Sequence, residues 1–125
     1  MSPLVVAAAI VAGAIGAVAR YVISRSMARH PFPWAVVISN VIGSAIAGVV
    51  LGATHVAADP TLQLIALGGF AGGLTTFSTF AVETMQLGIA RRQRALYASV
   101  AANVGFSLIA LMLAWVITVL LLGGF

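Results

Sequence analysis

The residues at positions 68–80 are the most chemically distinctive part of this sequence. They read GGFAGGLTTFSTF, so four glycines and four hydroxyl residues interrupt an otherwise apolar stretch. Each glycine weakens a helix by about 1 kcal/mol relative to alanine. Serine and threonine side chains compete for the backbone groups that such a weakness frees. The composition therefore predicts a local helix break, after which Phe77 and Phe80 share a face if the helix resumes beyond Thr76.

A break of this kind has consequences in lipid. Unpaired backbone groups are tolerated there only where they face protein, water or an ion, so the break should line a cavity or bind a ligand. The ring edges of Phe77 and Phe80 carry partial positive charge and can attract a small anion. The alternatives are a helix kinked for packing only, and phenylalanines that face lipid or the protein core.

Polar residues recur at helical spacing on two other apolar segments. Asn40 and Ser44 are four apart, and Ser99, Asn103 and Ser107 form a second stripe at the same spacing. Such stripes should face protein or water. Each residue alone could simply bridge two helices. Together with the predicted break, the two stripes indicate a polar track through the membrane.

Two charged residues lie within or at the ends of apolar segments. Glu83 follows Phe77 by six residues, and an intramembrane carboxylate is a functional candidate by default. It could instead pair with an arginine. Arg20 lies near the end of the first apolar segment, where it either anchors the helix orientation or draws anions towards a pore mouth.

The elements that must position these residues follow from composition. Hydrophobic residues make up 62% of the 125 residues and charged residues 6%, so the solvent of this chain must be lipid. Apolar segments at about 3–23, 34–56, 61–89 and 95–122 are each long enough to span a bilayer. The prediction is a single all-α domain of four transmembrane helices, broken in the middle of the third.

Small residues at four-residue spacing should let these helices approach closely. Gly13 and Ala17, Gly48 and Gly52, and Gly69 and Gly73 are spaced in this way. Close backbone approach is the usual means by which helices associate in lipid.

The charge distribution favours one orientation in the membrane. The net charge is +4, and a basic excess on a membrane protein normally reflects topology rather than nucleic-acid binding. With four spans, the loops after the first and third helices lie on one side. These loops and their flanks hold all the arginines, namely Arg20, Arg25, Arg29, Arg91, Arg92 and Arg94. The positive-inside rule then puts both termini outside the cytoplasm.

Taken together, these features resemble those of the Fluc (CrcB) family of fluoride channels. The resemblance rests on GGLTTFSTF at 72–80, Glu83 after it, Arg20 with Tyr21, and Asn40, and it extends over all four spans. It implies a fluoride-selective channel of the plasma membrane that exports cytoplasmic fluoride passively. It also implies a dimer of antiparallel subunits, with two pores at the interface and a structural sodium ion on the dimer axis.

The resemblance also implies roles for particular residues. Gly72 and Thr75 would give backbone carbonyls to sodium, Phe77 and Phe80 would line the pores, and Asn40 would donate its amide to fluoride. Ser78, Thr79, Asn103 and Ser107 would add hydroxyl or amide groups along the path. Asn103 departs from the family pattern, in which a hydroxyl residue usually occupies this position.

Several alternatives stay open at this point. The one-sided arginines favour a partner that is a homologous, oppositely oriented subunit, whereas a homodimer requires this chain to insert both ways. A small proton-coupled multidrug exporter also has four short helices, but its working carboxylate lies in helix one, where this chain has only Arg20. A non-transporting membrane assembly subunit is the third possibility. An enzyme is not expected, because two acids and two histidines without catalytic spacing offer no nucleophile and base pair.

Overall fold

The computed structural model describes residues 2–123, and within them the secondary structure is entirely helical. Four segments are long and apolar enough to cross a membrane, which confirms the predicted four-span, all-α architecture. The elements are α1 (Pro3–Ser26), α2 (Trp34–Val56), α3 (Pro60–Leu62), a π-helix (Gln63–Ala71), α4 (Gly72–Leu74), α5 (Phe77–Ile89) and α6 (Gln93–Leu121). In the third span, residues 60–74 form one continuous first half-helix, and α5 is the second half-helix.

Helix α1 and the third span begin at residues whose side chains accept from free backbone N–H groups. The Ser2 hydroxyl accepts from the Val5 N–H at 3.4 Å, and Pro3 occupies the first turn of α1. The carboxylate of Asp59 accepts from two N–H groups at 3.0 Å at the start of the third span, next to Pro60. Such caps supply partners that the first helical turn lacks. Helix α1 continues beyond the apolar segment at 3–23 to Ser26, since backbone bonding does not require apolar side chains.

Close backbone approach organises the helices into two pairs. Helix α1 lies against the first half-helix, where a Cβ atom added at Gly73 would collide with the carbonyl of Gly13, and one at Gly16 with backbone atoms of residues 70–74. Helix α2 lies against α6, where a Cβ at Gly48 would collide with the carbonyl of Leu111. The predicted packing role of the small residues is confirmed, and on α1 it involves Gly16 as well as Gly13.

Helix α2 is the most enclosed of the spans. It buries Val36, Val37, Val50 and three glycines, whereas α1 buries only Gly16. Many large apolar side chains of the other helices are exposed, as Leu4 and Leu121 are, which suits a surface in contact with lipid. A central α2 fixes the position of Asn40, which projects towards the interrupted third span.

Neighbouring glycines in the π-helix provide a matched test of this packing. A Cβ at Gly69 would meet the carbonyl oxygen of Ala9, whereas a Cβ at Gly68 would meet only the end of the Leu64 side chain at 3.5 Å, an ordinary contact. We predict that Gly69→Ala destabilises the protein by about 1–3 kcal/mol, as overpacking does. Gly68→Ala should leave stability within about 0.5 kcal/mol. Thermal unfolding in detergent measures both, and equal stability of the two variants would contradict the packing.

Candidate ion-binding site

The third span is interrupted at Thr75 and Thr76. Both residues are extended, with ψ angles of 157° and 121°. The helix resumes at Phe77, and the Thr76 hydroxyl caps α5 by accepting from the Thr79 N–H at 3.2 Å. The same hydroxyl lies 3.0 Å from the Thr79 hydroxyl and 3.3 Å from that of Ser78. The predicted break is therefore present, and the hydroxyl cluster provides an acceptor for a free backbone N–H at the start of the second half-helix.

Asn40 replaces the helical hydrogen bonds that the break removes. Its Oδ1 accepts from the Thr76 N–H at 2.8 Å, and its Nδ2 donates to the Thr76 carbonyl at 3.2 Å. In a continuous helix that N–H would bond the carbonyl of Gly72, four residues earlier. The side chain from α2 thus diverts the N–H and leaves the Gly72 carbonyl without its usual helical donor.

Arg20 stabilises the carbonyl end of the first half-helix. Its Nε donates to the Gly73 carbonyl at 3.2 Å, across the close contact with α1. The Thr75 N–H and hydroxyl both donate to the Ala71 carbonyl at 2.9 Å. The C-terminal end of a helix carries partial negative charge, so a guanidinium there is favourable. Sequence reasoning missed this contact because Gly73 is 53 residues away along the chain.

A groove of about 360 Å³ opens beside the break and is called the polar groove below. It is lined by Asn40, Ser44, Thr75, Thr76, Phe77, Phe80, Asn103, Val104 and Ser107. Five of the predicted pore residues are thus brought together: Asn40, Phe77, Phe80, Asn103 and Ser107. The two phenylalanine rings have centroids 6.1 Å apart at an interplanar angle of 54°. Phe77 is 80% exposed, so the groove is open on one side.

The wall of the polar groove on α6 holds donors without acceptors. Asn103 is only 5% exposed, and its Oδ1 accepts from Asn40 Nδ2 at 2.7 Å. Within the described residues, Asn103 Nδ2 and the Ser107 hydroxyl oxygen are buried and have no hydrogen-bond partner. Buried polar groups are nearly always paired in native proteins. An anion in the groove would complete this set.

Other predicted site residues lie elsewhere. Ser78 and Thr79 do not line the polar groove, since their hydroxyls lie beside that of Thr76 at the helix start. Ser44, part of the predicted polar track, also lines it, as does Thr76, which was assigned no site role from the sequence. The hydroxyl cluster at 75–79 indicated Thr76, but its contact with Asn40 required knowledge of helix packing.

Glu83 faces a different cavity, of about 320 Å³. Its lining residues include His30, Gln86 and Arg92, and Arg92 itself donates to the Pro31 carbonyl at 3.1 Å. Glu83 Oε2 is buried and has no hydrogen-bond partner within residues 2–123. The expected alternative of an arginine partner is therefore not found in that part of the chain.

Gly72 and Thr75 share a shallow concavity on the outer surface of the chain. It measures about 240 Å³ and also includes Gly43, Ser44 and Ala47. Gly72 is exposed, and a Cβ added there would meet only the carbonyl of Leu67, at 3.2 Å. Backbone carbonyl oxygens are the ligand type that hard cations prefer, and they are the groups by which this turn could hold a cation.

The sequence matches one protein family and is similar to several named channels. The profile of a family described as CrcB-like protein, Camphor Resistance (CrcB), matches residues 7–119. The Fluoride-specific ion channel FluC of Bordetella bronchiseptica is 36% identical over 100 residues, 78% of this chain and 75% of that protein. The Fluoride-specific ion channel FluC 2 of Mycobacterium tuberculosis is 36% identical over 104 residues, 81% of this chain and 80% of that protein. A FluC from Methanococcus aeolicus is 44% identical over 79 residues, 62% of this chain and 64% of that protein.

The Thr76 cap gives a test of the break itself. Thr76→Val removes the oxygen that accepts from the Thr79 N–H, and loss of an N-cap costs about 0.5–2 kcal/mol. We predict a lower unfolding temperature for Thr76→Val and near-complete recovery for Thr76→Ser, which keeps the hydroxyl. Thermal unfolding of the purified proteins measures both. An unaffected Thr76→Val protein would show that the hydroxyl does not stabilise α5.

Proposed function

The chain belongs to the CrcB-like family, and on that premise we propose that it is a fluoride-selective ion channel through which cytoplasmic fluoride leaves the cell passively. The relatives named above are fluoride-specific ion channels in bacteria and in an archaeon, which supports this function. A channel needs neither an ATP site nor a catalytic pair. The protein is accordingly a multi-pass membrane channel rather than an enzyme.

The polar groove is the observation that carries the proposal. Fluoride is small and strongly hydrated, so a pore must replace its water with several donors at once. The groove has unpaired donors on Asn103 and Ser107 and is also lined by Phe77 and Phe80, whose ring edges carry partial positive charge. The N-terminus of α5 adds the positive end of a helix dipole beside them. A larger anion such as chloride fits this donor set less well.

We infer that the groove is half of a pore. Phe77 is largely exposed although its ring belongs to the site, which leaves one side of any ion uncovered. A second subunit of inverted orientation would cover that side and would form a second groove of its own by symmetry. Ser78, which is exposed, and Thr79 then become candidates for contacts along the path or with the partner.

We further propose that Gly72 and Thr75 hold a structural sodium ion. Their carbonyls fit such an ion, because Asn40 takes the N–H that would otherwise bond Gly72 and because the turn is open to the outside. Two inverted copies would bring four carbonyl oxygens together. A bound cation would neutralise those dipoles and hold the two breaks against each other.

The arginines support an orientation in the plasma membrane with both termini outside the cytoplasm. The loop between α1 and α2, the turn between α5 and α6 and the adjoining parts of α1 and α6 hold all the arginines, and the turn at 57–59 holds none. One fixed orientation calls for an inverted homologous partner, whereas dual insertion gives a homodimer. Glu83 lies on the arginine-rich side of the third span and is a candidate for the entrance to the path.

Two rival functions make different predictions. A proton-coupled exporter needs a membrane carboxylate in its first helix, and α1 contains neither aspartate nor glutamate. A non-transporting assembly subunit would use the glycines and hydroxyls for packing alone. An assembly role of this kind does not explain why the donors in the polar groove are unpaired.

Fluoride efflux from liposomes tests the proposed function. We expect the wild-type protein to release fluoride and not chloride, and Phe77→Ile to reduce fluoride efflux at least about tenfold. Phe106→Ile is the matched control, because Phe106 is exposed on α6 and does not line the polar groove. Equal loss of efflux in both variants would contradict the assigned role of Phe77. If the wild-type protein alone shows no fluoride efflux and a homologous subunit restores it, the functional unit is a heterodimer.

Single cysteines test the orientation, since the chain has no cysteine of its own. Ala28→Cys marks the arginine-rich side and Ala58→Cys the opposite side. We predict that in intact cells an impermeant thiol reagent labels Ala58→Cys and not Ala28→Cys. Comparable labelling of both would establish dual insertion and would refute a fixed orientation.

A further inference from the structure

We propose that the turn containing Arg91, Arg92 and Arg94 binds the phosphate of an anionic membrane phospholipid, and that an acyl chain of this lipid lies along the adjoining face of α6. The site is separate from the polar groove. It concerns a contact between the chain and its membrane, and it holds whether or not the protein conducts fluoride.

The arginine turn, residues 91–94 between α5 and α6, presents positive charge without a counter-charge. Arg91, Arg92 and Arg94 are exposed, and with two neighbouring residues they line a cavity of about 440 Å³. In the part of the chain that the structure describes, none of the three guanidinium groups forms an ion pair with a carboxylate. The charge of this turn is therefore available to an anion from outside the chain.

Of these three side chains, that of Arg92 is tied to another part of the chain. Its Nη1 donates to the Pro31 carbonyl at 3.1 Å, which joins the arginine turn to the loop between α1 and α2. The side chains of Arg91 and Arg94 form no hydrogen bond within the described residues. A guanidinium carries its N–H donors in a planar fork that matches the oxygens of a phosphate. Two free forks in one cavity therefore suit a phosphate group, which offers several oxygens at once.

The arginine turn lies at the level of the lipid headgroups. It joins two apolar spans, which end at Ile89 and begin at Gln93, so it is at the membrane surface. Tyr97, about one turn into α6, is 69% exposed, and tyrosine is typical of the headgroup region. Basic residues directly beside a span attract anionic headgroups. The phosphate of a bilayer lipid is thus at the depth of the three arginines.

An exposed apolar surface, called the outer face of α6 below, continues from Arg94 into the membrane. Residues three or four apart share a side of a helix. On this side the exposed residues after Arg94 are Ala98, Ala101, Leu108 and Met112. Between them, a Cβ added at Gly105 would meet no atom within 4 Å. Asn103 follows Arg94 by about two and a half turns and faces the opposite way. The outer face therefore points away from the polar groove and from the subunit proposed to cover it.

The outer face favours a lipid over a free phosphate ion as the ligand. Exposed apolar side chains within a bilayer are covered by acyl chains. A lipid whose phosphate contacts the arginine turn can place a chain on this face and gain apolar contact as well as charge pairing. A free phosphate ion would gain the arginine contacts alone.

Thermal unfolding in a neutral detergent measures the binding. Added phosphatidylglycerol should raise the unfolding temperature saturably, because a ligand that binds only the folded state stabilises it. Phosphatidylcholine with the same chains, and inorganic phosphate at the same concentration, should have little effect. No rise with phosphatidylglycerol, or an equal rise with either of the other two, would overturn the inference.

Two double variants locate the site. Arg91→Gln with Arg94→Gln removes both free forks and should raise the phosphatidylglycerol concentration for half-maximal stabilisation at least about tenfold, the effect of losing hydrogen bonds to a charged group. Arg25→Gln with Arg29→Gln is the matched control, because it removes the same charge from exposed arginines at the end of α1 and in the loop after it. The control should change that concentration less than about threefold. Equal weakening in both would show that the lipid responds to the general charge of this side and would refute a site at the arginine turn.

Tryptophan quenching tests the position of the acyl chain and keeps all the arginines in place. Trp34→Phe with Trp115→Phe removes both native tryptophans, and Ala101→Trp or Phe106→Trp then adds one. Phe106 is 51% exposed but lies on a different side of α6 from Arg94. In phosphatidylcholine bilayers, we expect brominated phosphatidylglycerol to quench Ala101→Trp at least about twofold more than brominated phosphatidylcholine does, and both lipids to quench Phe106→Trp equally. Equal quenching of Ala101→Trp by the two lipids would show ordinary bilayer contact only and would overturn the inference.

Discussion

A backbone N–H or carbonyl at the centre of a bilayer must find a partner inside the protein, and the third span departs from a helix at just that depth. Asn40 satisfies both polar groups of Thr76, while Arg20 satisfies the carbonyl of Gly73. These two side chains come from different helices. The glycine contacts that bring α1 against the first half-helix, and the central position of α2, are therefore preconditions of the site.

The break also separates two kinds of partial charge. The first half-helix ends in carbonyl oxygens, and the second begins with N–H groups beside the polar groove. Cations suit the first end and anions the second, which is the arrangement that broken membrane helices use for ion sites. The proposed structural sodium ion and the proposed fluoride path would thus share a single interruption of the third span.

The sequence alone was sufficient to predict the features that depend on local composition. The apolar segments predicted four spans, and the glycines and hydroxyls at 68–80 predicted the break and the shared face of Phe77 and Phe80. It was not sufficient for contacts between distant residues. The bond from Arg20 to Gly73, the chain from Thr76 through Asn40 to Asn103, and the separate cavity of Glu83 depend on helix register, which apolar periodicity does not determine.

We infer that a side chain on α2, Asn40, holds the third span open and thereby creates the ion site. The most direct test of this inference is fluoride efflux through Asn40→Leu protein that elutes from a sizing column like the wild type. We expect leucine to return the Thr76 N–H to the Gly72 carbonyl and to give a folded protein without fluoride efflux. Efflux at the wild-type rate would contradict it, because the ion path would then not depend on the break that Asn40 maintains.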